Sequence, residues 1–215
     1  MIDRAAAPGD LLVAVEAAVA AGVDWIQIRE RELPGAALVD FAAAVAAAAQ
    51  RGARQSRRPV KVLVNRRADV ALAIGADGVH LGFDAMDVDA ARRVLGEDAL
   101  VGVSTHSVAE AHEAVAASYV HLAPIFAPLS KASSRPAIGL AAVTDAASRG
   151  VPVLAQGGVD ADNAASLCDA GARGVAVTGA ILMRADPAVA AAVLRRALDD
   201  GARRRDRAGS TSRSS

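Results

Sequence analysis

Short runs of aliphatic and β-branched residues alternate along this chain with longer alanine-rich stretches in which apolar positions recur at helical spacing. VDWIQIRE from Val23, VKVLVN from Val60, GVHL from Gly78, LVGVST from Leu100, YVHLAPI from Tyr119, PVLAQGG from Pro152 and GVAVTG from Gly174 are predicted strands. They are strongly apolar, as strands buried on both faces of a parallel sheet are. Helices are predicted to open near Pro8, Pro34, Arg67, Asp87, Ser107, Ile138, Asp160 and Asp186, the later ones at residues that suit a helix start.

Eight helices with seven intervening strands predict an α/β chain of repeated βα units, a (β/α)8 TIM barrel whose first strand is truncated to the stub MIDR. An open doubly wound sheet would need edge strands and a switch point, whereas these runs are uniformly apolar and follow one another without a break. The helix-to-strand connections AGVD from Ala21, GADG from Gly75 and GARG from Gly171 repeat a glycine that supplies the left-handed turn after a helix.

With 215 residues and 53% hydrophobic side chains, the chain suffices for one sizeable core. Its 24 basic and 24 acidic residues cancel, so no overall field favours nucleic acid or an anionic membrane, and anion affinity must come from a local site. The expected partners are small molecules, and a homo-oligomer stays open. The single cysteine, Cys168, has no internal partner for a disulfide, and the start lacks the pattern of a secretory signal, so a cytoplasmic location is expected. Residues 1–200 are expected to form the barrel, and 201–215, reading GARRRDRAGSTSRSS, a disordered basic tail with nothing apolar to bury.

In such a barrel the active site lies at the C-terminal ends of the strands. Those ends offer Gln27, Arg29, Glu30 and Arg31; Asn65 with Arg66 and Arg67; His80, Gly82 and Asp84; Ser104, Thr105 and His106; a loop with Ser130 and Lys131; Gln156, Gly157 and Gly158; and Thr178 with Gly179. Gly157 and Gly158 alone make only a tight turn. Beside Thr178-Gly179 and the helical AILMRAD, they describe bare backbone N–H groups that can surround a phosphate, and a valine at 158 would fill the anion's space. Arg29, Arg31 and Lys131 add positive charge suited to a departing pyrophosphate, against the plainer reading of surface ion pairs with Glu30 and Glu32. His80 and His121 read as structural, Cys168 as a helix residue, and only His106 is kept as an acid or base.

The blocks QIRERELPG, VLVNRRADVALAIGADGVHLG, VGVSTHSVAEAHEA, LAPIFAPLSK and AQGGVDADNAASLCDAGARGVAV resemble the thiamine phosphate synthase/TenI family, from about Val23 to Arg196 and in the family's order. The resemblance implies that hydroxymethylpyrimidine pyrophosphate meets a thiazole phosphate, pyrophosphate leaves and thiamine phosphate forms. It implies pyrophosphate contacts at Gln27, Arg29 and Arg31, a pyrimidine contact at Asn65, and substrate contacts at Ser104, Ser130 and Lys131. The phosphate-binding backbone would be Gly157, Gly158, Val177 and Thr178, and Lys131, Ser104 and Arg31 would be the catalytic groups.

One departure concerns the metal. Where the family carries two aspartates that hold magnesium, this chain has Arg66 and Ala85, so no cofactor is expected and magnesium is placed in doubt; Asp84 alone is a poor magnesium site. The TenI tautomerases place a histidine where this chain has Pro124. Rival expectations are a tautomerase using His106 and a non-catalytic binder of phosphate ligands.

Overall fold

The computed structural model describes Met1, Ile2, Arg4 and residues 7–127 and 135–211. It is an α/β structure with seven parallel strands: β1 Trp25–Ile28, β2 Lys61–Asn65, β3 Gly78–Leu81, β4 Leu100–Thr105, β5 Tyr119–Leu122, β6 Val153–Gln156 and β7 Gly174–Ala176. Each falls inside a run that the apolar pattern marks as a strand. The helices are α1 Leu11–Ala20, α2 Gly35–Ser56, α3 Ala68–Ala73, α4 Val88–Leu95, α5 Val108–Glu113, α6 Gly139–Ala147, α7 Ala164–Asp169, α8 Gly179–Leu182 and α9 Pro187–Thr211. No described helix is long and apolar enough to cross a membrane.

The chain divides into two compact units. The first comprises Met1–Val103, Ala116–Ser118 and Thr178–Ala192. Here β1, β2 and β3 pair in sequence order, with Ile28 opposite Val64 and Asn65 opposite His80, and β3 pairs β4 with Val79 opposite Val101. Ala68, Val79, Leu81, Ala91 and Val101 form an apolar cluster beneath these strands. Helices α1 and α2 cross at Gly52, where a Cβ would strike the Glu16 carbonyl and stand 2.9 Å from Val19 Cβ. That approach lets Glu16 take both Arg51 and Gln55, each at 2.6 Å.

The stub at the start of the chain does pair. The Ile2 N–H donates to the Gln27 carbonyl and the Arg29 N–H to the Ile2 carbonyl, both at 2.7 Å, so Ile2 forms one parallel bridge to Ile28.

The second unit comprises Ser104–Val115, Tyr119–Val177 and Val193–Ser215. Its β5, β6 and β7 also pair in sequence order, over a cluster that includes Val120, Leu122, Val143, Val153 and Leu167. Helix α9 runs on through 201–211, which corrects the expectation of a disordered tail for that stretch. Gly201 permits close contact with α7, since a Cβ there would stand 2.7 Å from the Ala165 carbonyl. Beyond it Arg204 pairs with Asp169 at 2.9 Å and Arg205 donates to the Ala172 carbonyl at 3.1 Å. Composition registers these arginines as solvated charge, while their stems and heads have partners on the unit's own surface.

Candidate functional site

In the first unit the ends of β1, β2 and β3 gather the polar groups. Gln27 is 6% exposed, and both polar atoms of its amide lack a hydrogen-bond partner among the described residues. A buried amide left in that state costs about 1–3 kcal/mol, so it is the kind of group that a ligand completes. Beyond it Arg29 is half-buried and Arg31 exposed.

The acidic residues next to these arginines, Glu30 and Glu32, are held by a cation from elsewhere. Arg4 Nε lies 2.7 Å from Glu30 and its Nη2 3.4 Å from Glu32. Burial raises the Glu30 carboxyl, but the Glu32 N–H, the Arg4 guanidinium and the Arg31 N–H outweigh it and hold the carboxyl below its usual range. The ion pairs expected of Arg29 and Arg31 with Glu30 and Glu32 thus belong to Arg4, and Arg31 makes no ion pair among the described residues.

At the next two strand ends, the His80 carbonyl accepts from the Arg66 N–H at 2.8 Å and, at 3.4 Å, from the Asn65 amide. Arg66 has φ 67°, a left-handed conformation uncommon outside glycine. Its Nη2 meets Asp84 Oδ2 at 2.7 Å. The Arg66 hydrogen bond, an N–H of the Asp84 backbone and the charges of Arg66 and Arg31 hold the Asp84 carboxyl below its ordinary range. Arg67 is engaged separately, with two bonds to Asp69 at 2.8 and 2.6 Å.

These residues do not fit a magnesium ion at the positions where the family carries aspartates. A guanidinium has donors and no lone pair to offer a cation. Ala85 supplies no ligand and packs against the apolar cluster of Val79 and Leu81. Asp84, the remaining carboxylate, is engaged by Arg66.

His80 is 1% exposed, and burial followed by the charge of Arg29 lowers its ring to about 4. It is neutral near pH 7 and structural, as its place inside β3 suggests.

In the second unit, β6 ends in a turn at Gly157 and Gly158, with φ 92° and 63°. Every carbonyl of the turn is taken: Ile125 N–H donates to Gln156 O at 2.8 Å, Phe126 N–H to Gly157 O at 3.1 Å and the Asn163 amide to Gly158 O at 2.9 Å. The N–H groups of Gly157 and Gly158 make no hydrogen bond to a described residue. Carbonyls withdrawn and consecutive N–H groups left over form the backbone pattern that receives an anion. Asn163, which the strand-end inventory misses, anchors this turn; its Oδ1 also accepts from the Asp160 N–H at 3.1 Å.

Both glycines are required by the protein itself. A Cβ at Gly157 would stand 2.8 Å from Pro124 Cα, and one at Gly158 would collide with the Ala127 carbonyl and stand 2.7 Å from Phe126 Cβ. The expectation that valine at 158 would merely fill the anion's space is therefore corrected: it would displace the backbone at 126–127.

The side chain of Val177 packs on the apolar cluster. Thr178, in the first unit, precedes α8; its carbonyl accepts from Ile181 and Leu182, and its hydroxyl makes no cap bond. Ser104 lies half-buried near the end of β4. His106 is fixed by backbone, with Nδ1 2.8 Å from the Ala123 carbonyl and its N–H donating to Glu110 at 2.8 Å. Cys168 is buried in α7, and burial pushes its thiol up, away from the reactive thiolate. Ser130 and Lys131, with Pro128 and Leu129, lie outside the described residues.

Comparison with known proteins adds a family to this geometry. A family model described as thiamine monophosphate synthase matches residues 1–181. A thiamine-phosphate synthase of Anaeromyxobacter dehalogenans is 42% identical over 195 residues, covering 89% of this chain and 85% of that protein. One from Methanoculleus marisnigri is 43% identical over 183 residues, 83% of each. Among solved structures, a thiamine phosphate pyrophosphorylase from Pyrococcus furiosus superposes with a TM-score of 0.79 at 27% identity, covering 93% of this chain and 94% of that one.

Proposed function

The chain belongs to the thiamine monophosphate synthase family, and from that premise we propose that it joins hydroxymethylpyrimidine pyrophosphate to thiazole phosphate. The thiazole nitrogen gives its lone pair to the pyrimidine methylene as the methylene–oxygen bond breaks. The electrons of that bond leave with pyrophosphate, and the product is thiamine phosphate. No oxidant enters and no proton need move, so the demand on the protein is to orient two substrates, exclude water and stabilise the departing charge.

The observation that carries this reading is the turn at Gly157 and Gly158, whose carbonyls are all engaged while its N–H groups are not. With the Val177 and Thr178 backbone, it is assigned the thiazole phosphate. In the first unit Gln27, Arg29 and Arg31 are assigned the pyrophosphate and Asn65 the pyrimidine; the unsatisfied Gln27 amide supports that assignment. Ser104, Lys131 and Arg31 are assigned catalytic roles, and Ser130 a substrate contact.

The same reading takes the fold as a (β/α)8 barrel, with the segment at Ile2 standing for the first strand through its one bridge to Ile28. It also takes the protein as cytoplasmic, acting on phosphorylated small molecules without nucleic-acid or membrane partners. A tautomerase reading is not adopted, because this chain has Pro124 where the tautomerases carry a histidine.

The test is a mass-spectrometric assay of the purified chain with both thiamine precursors, with and without magnesium. Thiamine phosphate and an equal amount of pyrophosphate are expected; product in neither condition would overturn the reading.

A further inference from the structure

Among the described residues, the end of β1 and the loops after β2 and β3 place two arginines, Arg31 and Arg66, where a single carboxylate, Asp84, answers them. Arg4 is engaged by Glu30 and Glu32, and Arg67 by Asp69. Arg66 and Arg31 are different. Both act on a single carboxylate, Asp84, which bonds Arg66 at 2.7 Å and also feels the charge of Arg31. Arg66 bonds this carboxylate while Arg31 makes no ion pair among the described residues, so these two guanidinium groups outnumber the carboxylate that answers them.

The Arg66–Asp84 pair is built for exchange. Its side chains are 36% and 68% exposed, and an ion pair that open to water contributes little, so a stronger anion can replace Asp84 at small cost. The Arg66 backbone is firmly placed, because its N–H is fixed to the His80 carbonyl at 2.8 Å. A guanidinium fork matches phosphate oxygens in geometry as well as charge.

From this we infer that the chain binds a diphosphate through arginine alone, with Arg66 doing the work of a divalent cation and Asp84 serving as the resident counter-ion that the diphosphate displaces. When the ligand arrives, Arg66 gives up the Asp84 carboxylate for a phosphate oxygen. Arg31 bonds the same ligand, and Asp84 turns to water. The identity of the diphosphate as a substrate's leaving group rests on the synthase reading; the displacement itself rests on the charges described.

The probe is inorganic pyrophosphate, titrated calorimetrically into the whole chain in EDTA and again in excess magnesium. Binding is expected in EDTA, with a Kd within about threefold of that in magnesium. Arg66→Gln is expected to weaken it about tenfold, the effect of losing one charged hydrogen bond. Asp84→Asn is expected to tighten it several-fold, because the internal competitor is gone. Binding that appears only with magnesium overturns the inference and needs no variant to show it. So does weaker binding by Asp84→Asn, the sign expected of a lost metal ligand, or unchanged binding by Arg66→Gln in a variant whose melting temperature shows it folded.

Mass spectrometry of the same samples separates this inference from the synthase reading. Product formed only with magnesium would remove the inference and keep the synthase. Metal-free pyrophosphate binding with the expected variant effects, but no product under any condition, would do the reverse.

Discussion

The backbone N–H of Arg66 donates to the His80 carbonyl at 2.8 Å, and the price of that bond is a φ of 67° at a residue with a side chain. An L-residue in this region loses about 1–2 kcal/mol relative to glycine, partly offset by the extra freedom glycine has when unfolded. Arg66→Gly should therefore leave stability unchanged or raise it by up to about 1 kcal/mol. Pyrophosphate affinity should fall in the same variant. Denaturant melts paired with calorimetry check both, and a clear loss of stability would show that the arginine side chain supports the fold.

His80 makes stability depend on acid. Its ring is held near 4, by burial first and then by Arg29, against an ordinary 6.5. As pH falls below 6.5 the unfolded chain takes up a proton at this residue that the folded chain refuses until about 4. The contribution is thus full above 6.5 and is lost between 6.5 and 4, about 2–3 kcal/mol from this group. Urea melts at several pH values in that window should show the loss, and His80→Gln should flatten it. An equal slope in the variant would assign the acid sensitivity to carboxylates.

Gln27 trades stability for binding. Its amide is buried without a partner among the described residues, and Gln27→Leu should raise stability by about 1–2 kcal/mol by removing that desolvation penalty. Thiamine phosphate formation should fall sharply. A variant with wild-type turnover would remove Gln27 from the site.

Gly158 and Gly150 provide a matched pair. Both have positive φ, 63° and 90°, but a Cβ at Gly150 meets nothing within 4 Å, whereas one at Gly158 meets the backbone of Phe126 and Ala127. Gly150→Ala should cost only the conformational penalty, about 1 kcal/mol. Gly158→Ala should cost about 2–3 kcal/mol and also abolish thiazole-phosphate binding. Equal losses in thermal melts would mean that the 126–127 backbone yields freely.

The elements legible in the sequence are those whose determinants are local. Asp87 and Ser107 mark their helices because their side chains accept the Ala90 and Glu110 N–H groups, at 2.6 and 3.2 Å. Asp160 acts in a similar way, its carboxylate accepting from Asp162 and Asn163 and its carbonyl from Ala164, one turn ahead of the regular α7 that begins at Ala164. The helical reading of AILMRAD is realised in α8, though over only Gly179–Leu182.

Charge pairing is the least legible of all. Arg4 finds Glu30 across 26 positions, so no spacing rule could prefer it to the neighbouring arginines. Sequence comparison exposes Arg66 as a departure from the family, but its pairing with Asp84 depends on a left-handed backbone and on two neighbouring strands. Two of the carbonyl contacts that empty the glycine turn of acceptors come likewise from residues distant in sequence, Ile125 and Phe126.

Asp84 also imposes a selectivity that affinity alone would not. A chloride or carboxylate ion that evicts it exchanges one single-charged contact for another and gains almost nothing, however abundant that ion is in solution. An anion with several charges engages both arginines at once, and for it the exchange is favourable. On that inference, the tethered carboxylate sets a threshold that a multiply charged ion passes at a far lower concentration than a singly charged one.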